Sequence, residues 1–137
     1  QYVKELNVGF LSKKECIALQ KSADILFLPL SGDLIYPEEI KVAFPCKLLE
    51  YLAAGKPILA LVPRGSSVES FVDKYKVGVT ITDLSVEKTV TAINFLKDEK
   101  KREILSQNAL TTAKLFDSRR VCKQLLNLIS KVETQAA

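Results

Sequence analysis

Two apolar patterns alternate along the chain. ILFLPL (25–30) and ILALV (58–62) are continuous apolar runs too short for helices, the mark of parallel strands covered on both faces. VGVTI (77–81), admitted by Gly78, predicts a further strand, and YVKELNVGF (2–10) a weaker one ahead of the others. Between the strands the spacing turns helical. Ser12-Lys13-Lys14-Glu15 is a capping box opening a helix to about Ala23. The next helix begins near Pro45 or Cys46, where a proline lacks only an amide that would have had no partner, and it stops at Gly55 with Pro57 barring continuation. Arg64-Gly65-Ser66-Ser67 predicts a tight turn opening a helix to about Tyr75, and Ser85 caps another to about Lys97. Two amphipathic helices, over roughly 99–116 and 119–131, close the chain, with Leu105, Leu125, Leu128 and Ile129 among their apolar stripes, as Leu96 is in that of the helix before them. SGDLIYPEEIKVAF (31–44) reads as irregular.

Strands alternating with helices predict an α/β fold: a Rossmann-like, three-layer parallel sheet with helices on both faces and a helix-rich C-terminal end. Such sheets bind ligands at the carboxyl ends of their strands. That selects the loops 31–46 and 63–67. The helices after both loops point their amino ends at that edge, where free amides and the helix dipole favour an anion such as phosphate.

With 137 residues, 47% of them apolar, the chain is the size of one domain (1–137) that buries roughly two thirds of its unfolded surface. No apolar run approaches the ~20 residues of a membrane helix, and no signal-peptide pattern is present, so a soluble, cytoplasmic domain is expected. Cys16, Cys46 and Cys122 form no CxxC pair, and the chain has no histidine. A zinc site and histidine-dependent catalysis are thereby excluded within it, and no metal or cofactor is expected. Cys16 and Cys122, among apolar neighbours on predicted helices, are expected to be buried free thiols. The net charge of +4 is spread over helices without interleaved aromatics or glycines. That speaks against nucleic-acid binding and for a solvated helix face, with weak attraction to an anionic membrane as a second reading.

One residue stands out in FPCKLLEYLAAGKPILA (44–60): Glu50, a carboxylate in a short apolar helix that runs into a buried strand. Its plain reading is a surface residue paired with Lys47. PCKLLEYLAAGKPILA and the following PRGSSVESFVDKYKVGVTI resemble the nucleotide-sugar-binding C-terminal domain of GT-B fold, group 1 retaining glycosyltransferases. KKECIALQKSADILFLPL and KLFDSRRVCKQLLNLIS are also similar to that domain, so the resemblance spans nearly the whole chain. It implies that Glu50 accepts hydrogen bonds from the ribose hydroxyls of a donor nucleotide. It also implies that the helix start at Phe44, Pro45, Cys46 and Lys47 holds the diphosphate, with Gly65, Ser66 and Ser67 acting either as a cap alone or as a cap that also touches phosphate or sugar.

The chain departs from that family at Val42, where a second glutamate, contacting the donor sugar, is the rule; Asp33, Glu38 and Glu39 are nearby acids. The resemblance further implies that the chain corresponds to the domain from its third strand onward, without the basic Arg and Lys pair or the acceptor domain, and that alone it is inactive. The two absent strands would leave an apolar edge beside ILFLPL, inviting a strand-paired or swapped homodimer. The full enzyme would carry out polysaccharide biosynthesis in the cytoplasm, with peripheral membrane contact. Two other readings stay open: a sugar-nucleotide epimerase of the same fold, and a non-catalytic flavodoxin-like interaction module.

Overall fold

A computed structural model of the chain describes residues 9–30, 37–83 and 85–135. Residues 2–8 of the expected first strand, together with Gly32 and Asp33, lie outside the described residues, while Gly9 and Phe10 are not in a strand. Three parallel strands pair in the order β1 (Leu26–Pro29), β2 (Ile58–Leu61) and β3 (Gly78–Ile81). Leu26 lies opposite Ile58, and Ile58 opposite Gly78. A Cβ on Gly78 would collide with the Ile58 carbonyl, so this close approach of the backbones requires glycine.

The helices are α1 (Lys13–Ser22), α2 (Pro37–Val42), α3 (Cys46–Ala54), α4 (Ser67–Tyr75), α5 (Val86–Lys97), α6 (Glu99–Ala113) and α7 (Ser118–Gln135), with a 3-10 turn at Lys114–Phe116. The expected capping box forms: Ser12 Oγ accepts the Glu15 N–H at 3.3 Å, and Glu15 accepts the Ser12 N–H at 2.8 Å. Ser85 and Asp98 cap α5 and α6 with a one-way bond, accepting the Lys88 and Lys101 amides. α2 is a helix inside the stretch expected to be irregular. Its Pro37 occupies the first helical position, where no amide is lost.

Two cores lie on opposite faces of the sheet. Leu28, Ile58 and Ala60 meet Leu48 and Leu52 of α3, Val68 and Val72 of α4, and Ala109 of α6 on one face. Leu59 and Ile81 meet Ala92 and Leu96 of α5 and Leu105 of α6 on the other. Helices therefore cover both faces, as the alternation of elements requires.

Three expectations are corrected. β1 is not covered on both faces: Leu26 and Leu28 are buried, but Phe27 and Pro29 are exposed, because β1 is the outermost described strand and no described helix lies over Phe27. The Leu26 and Leu30 amides donate to Pro57 and Leu61, so by strand alternation the backbone of Phe27 and Pro29 faces the open edge. The Tyr51 hydroxyl takes the Phe27 carbonyl there at 3.2 Å, and Pro29 has no N–H to offer. The cysteines are not buried either. Cys16 is half-buried, while Cys46 and Cys122 are exposed, since α1 and α7 pack less closely than their apolar faces suggest. Finally, the helix expected over 99–116 ends at Ala113, and the stripe of the last helix is exposed rather than packed.

Candidate functional site

α3 is held by its two ends and one face. Pro45, with an extended backbone, precedes it without any side-chain cap, and Gly55 ends it in the left-handed conformation. Leu48 and Leu52, one turn apart, are fully buried. That pins the rotation of the helix and turns Lys47, Glu50 and Ala54 away from the sheet, toward α1. Only two residues separate Gly55 from β2, so the amino end of α3 lies at the carboxyl edge of the strands. α4, which follows β2, begins at the same edge. The Phe44 ring meets Phe71 of α4 edge-on at 5.0 Å and stacks on Phe116 at 6.1 Å, tying the start of α3 to α4 and to the turn before α7.

Between α1 and α3 runs a groove of about 570 Å³, lined by Leu11, Cys16, Gln20, Lys47, Glu50 and Ala54, among others. Glu50 Oε2 accepts Lys47 Nζ at 3.0 Å and Gln20 Nε2 at 3.5 Å, and Oε1 has no hydrogen bond among the described residues. The Lys47 hydrogen bond holds the Glu50 carboxyl below its ordinary value of 4.5, and the same bond raises the lysine. Both side chains are about half exposed, so the pair adds little to stability. Its consequence is chemical: at neutral pH the groove presents a charged acceptor with spare capacity, next to a cation one turn from a helix end. Burial raises the Tyr51 hydroxyl, keeping it a donor to Phe27.

The two loops differ at their helix starts. Gly65, at φ +75°, carries the turn into α4. Its N–H donates to Glu69 Oε2 at 2.5 Å, and the fully buried Ser66 accepts the Glu69 N–H at 3.2 Å. Gly65 and Ser66 are therefore occupied by capping and Ser66 is out of solvent, while Ser67 is exposed. The Glu69 carboxylate also sets a negative charge at that end. α1, α4, α5 and α6 receive side-chain caps, and Asp117 accepts the Arg119 and Arg120 amides at the start of α7. α3 receives no such cap.

The structure thus brings Cys46, Lys47 and Glu50 together on α3, seats Phe44 and Pro45 at its entry, and places Gly65, Ser66 and Ser67 at the neighbouring helix start. Glu39 lies on α2, and the exposed Val42 ends that helix. Gln20 was not visible from the sequence: 30 residues separate it from Glu50, and no local spacing joins them. Among the described residues no group of histidine, cysteine and acidic side chains has metal-binding geometry. A groove of about 700 Å³ along the outer edge of β3 contains none of the candidate site residues named from the sequence.

With that geometry, the family model described as "Glycosyl transferases group 1" matches residues 6–112, most of the 137. The chain belongs to the group 1 glycosyltransferases. No curated protein and no solved structure matches it. Parallel sheets of this kind bind ligands at the carboxyl edge of their strands, and the α3 start lies at that edge. No helix among the described residues is long and apolar enough to cross a membrane.

Proposed function

We propose that this group 1 glycosyltransferase binds a nucleoside diphosphate sugar in the groove between α1 and α3. The sugar passes, with its anomeric configuration retained, to a glycan or lipid-linked acceptor. The observation that carries the reading is the uncapped amino end of α3, one turn from an exposed Glu50 whose Oε1 has no hydrogen bond among the described residues. A ribose offers two adjacent hydroxyls, and a carboxylate is the acceptor that takes both with charge assistance. The Cys46 and Lys47 amides, with the Lys47 ammonium, meet the diphosphate.

Glu50 then has two jobs in sequence. In the free protein it holds Lys47; when the ribose enters, Oε1 accepts a hydroxyl first, and Lys47 shifts toward the phosphates. As the glycosidic bond breaks, negative charge grows on the diphosphate, and fixed amides plus the ammonium stabilise it without reorganising. Ser66 is structural in this scheme, and the exposed Gly65 and Ser67 border the sugar.

The test is a titration of isotope-labelled protein with the UDP, GDP, ADP and CDP forms of a hexose donor. One base class is expected to shift the amides of Cys46, Lys47 and Glu50. Shifts confined to the β3 edge, or none with any donor, would sink the proposal.

A further inference from the structure

Gln20 is the residue through which α1 reaches Glu50. α1 has no fully buried side chain, and among the described residues the bond from Gln20 Nε2 to Glu50 Oε2 is the one side-chain hydrogen bond that joins it to α3. A carboxylate only accepts, so the amide turns its nitrogen to Glu50. The same Nε2 donates to Cys16 Sγ at 3.5 Å, one turn back on α1, and the two bonds together fix the half-buried amide. The charged groups that share the groove with Glu50 are all lysines: Lys47 on its own helix, and Lys13 and Lys21 across from it on α1. Among these cations Gln20 is a neutral donor, which holds one carboxylate oxygen without cancelling the charge.

Given the donor reading of this groove, on which the inference rests, we infer that Gln20 is a positioning residue for donor recognition: it holds Glu50 Oε2 so that Oε1 stays turned to the ribose hydroxyls. In the free protein Oε2 has two partners, Lys47 at 3.0 Å and Gln20 at 3.5 Å. Once Lys47 moves to the diphosphate, Gln20 is the partner that remains, so the donor complex depends on it more than the free protein does. Without it the carboxylate turns about its last side-chain bond, a broad and roughly two-fold torsion, and loses the alignment that two adjacent hydroxyls need. Glu50 is held below its ordinary carboxyl value first by the Lys47 bond and further by the Gln20 bond, so the contact also has a readout that needs no nucleotide.

The experiment titrates the whole chain, wild type and Gln20→Leu, with UDP, GDP, ADP and CDP and with their 2′-deoxy counterparts, and follows the Glu50 carboxyl carbon by NMR without nucleotide. Gln20→Leu keeps the bulk of the side chain and removes its donors, so the melting curve should hold. The Glu50 midpoint should rise toward 4.5. The ribonucleotide that binds the wild type should bind about fivefold more weakly, with its 2′-deoxy counterpart much less affected. Gln20→Glu sets a second carboxylate against the first, so it should raise the midpoint further and weaken the ribonucleotide more than Gln20→Leu does. Added to Glu50→Gln, Gln20→Leu should change the ribose preference little, an outcome that a general loosening of the groove would not give. A wild type that binds none of the four overturns the donor reading, and the role of Gln20 with it. A wild type that binds while Gln20→Leu keeps its full ribose preference, or a Glu50 midpoint that does not move, overturns the role of Gln20 alone.

Discussion

Glu50→Gln removes one charge from the groove and almost nothing else. In the free protein the cost is the Lys47 pair, half exposed and one turn apart, worth about 0.3–0.5 kcal/mol. The melting curve should barely move. In the donor complex the loss is larger. Two ribose hydroxyls that donated to a carboxylate now face an amide with one acceptor oxygen and an NH₂ that itself needs acceptors. Two charge-assisted bonds of about 1.5–3 kcal/mol each give way to one neutral bond of about 1 kcal/mol, so at least roughly 2 kcal/mol is lost, or about thirtyfold or more in Kd. Calorimetry with the donor identified by the titration series, and with its 2′-deoxyribose counterpart, measures this directly. The wild type should prefer the ribose donor strongly and Glu50→Gln much more weakly, because the hydroxyl and the carboxylate belong to one interaction. If both proteins discriminate ribose from deoxyribose equally, the role assigned to Glu50 is wrong, and it is only the surface partner of Lys47.

The remaining predictions concern the surrounding framework. Lys47→Gln should raise the Glu50 pKa toward the ordinary 4.5, seen as a higher midpoint for the Glu50 carboxyl carbon by NMR; an unchanged midpoint would show that the 3.0 Å pair does not persist in solution. Because the folded value is the lower one, the pair's small contribution to stability is present above the unfolded pKa. It is lost as the pH falls through the folded value, so urea midpoints of the two proteins should converge in acid. Ser66→Ala should cost about 1 kcal/mol through loss of the α4 cap and leave donor affinity unchanged, since Ser66 is fully buried; a parallel loss of affinity would place it in the site. Gly78→Ala should abolish cooperative unfolding, because the new Cβ meets the Ile58 carbonyl rather than a movable side chain; a normal melting curve would refute that packing.

The features legible in the residues were those that act over four positions or fewer. The capping box at Ser12 and Glu15 closes on itself, and Ser66 and Ser85 bond amides three residues on. Gly55 takes the left-handed turn, and the short apolar runs at 25–30 and 58–62 form the strands β1 and β2. The burial of Leu48 and Leu52 follows from their one-turn spacing, and with it the outward direction of Lys47 and Glu50. α2 was missed although Pro37 and the acids after it make an ordinary helix start.

Where a pattern required a partner from elsewhere, the residues were silent. A continuous apolar run says that a strand can be covered on both faces, not that it is, and Phe27 is exposed because β1 is the outermost described strand. Equally, the stripe of α7 declares an apolar face without declaring what lies against it. The contact of Gln20 with Glu50, the Tyr51 hydroxyl on the Phe27 carbonyl and the Phe44–Phe71–Phe116 cluster all join residues at least 24 positions apart. Periodicity assigns each side chain to a face of its own element. Which faces meet is decided by how the elements close against one another, and that closure gives Glu50 its groove.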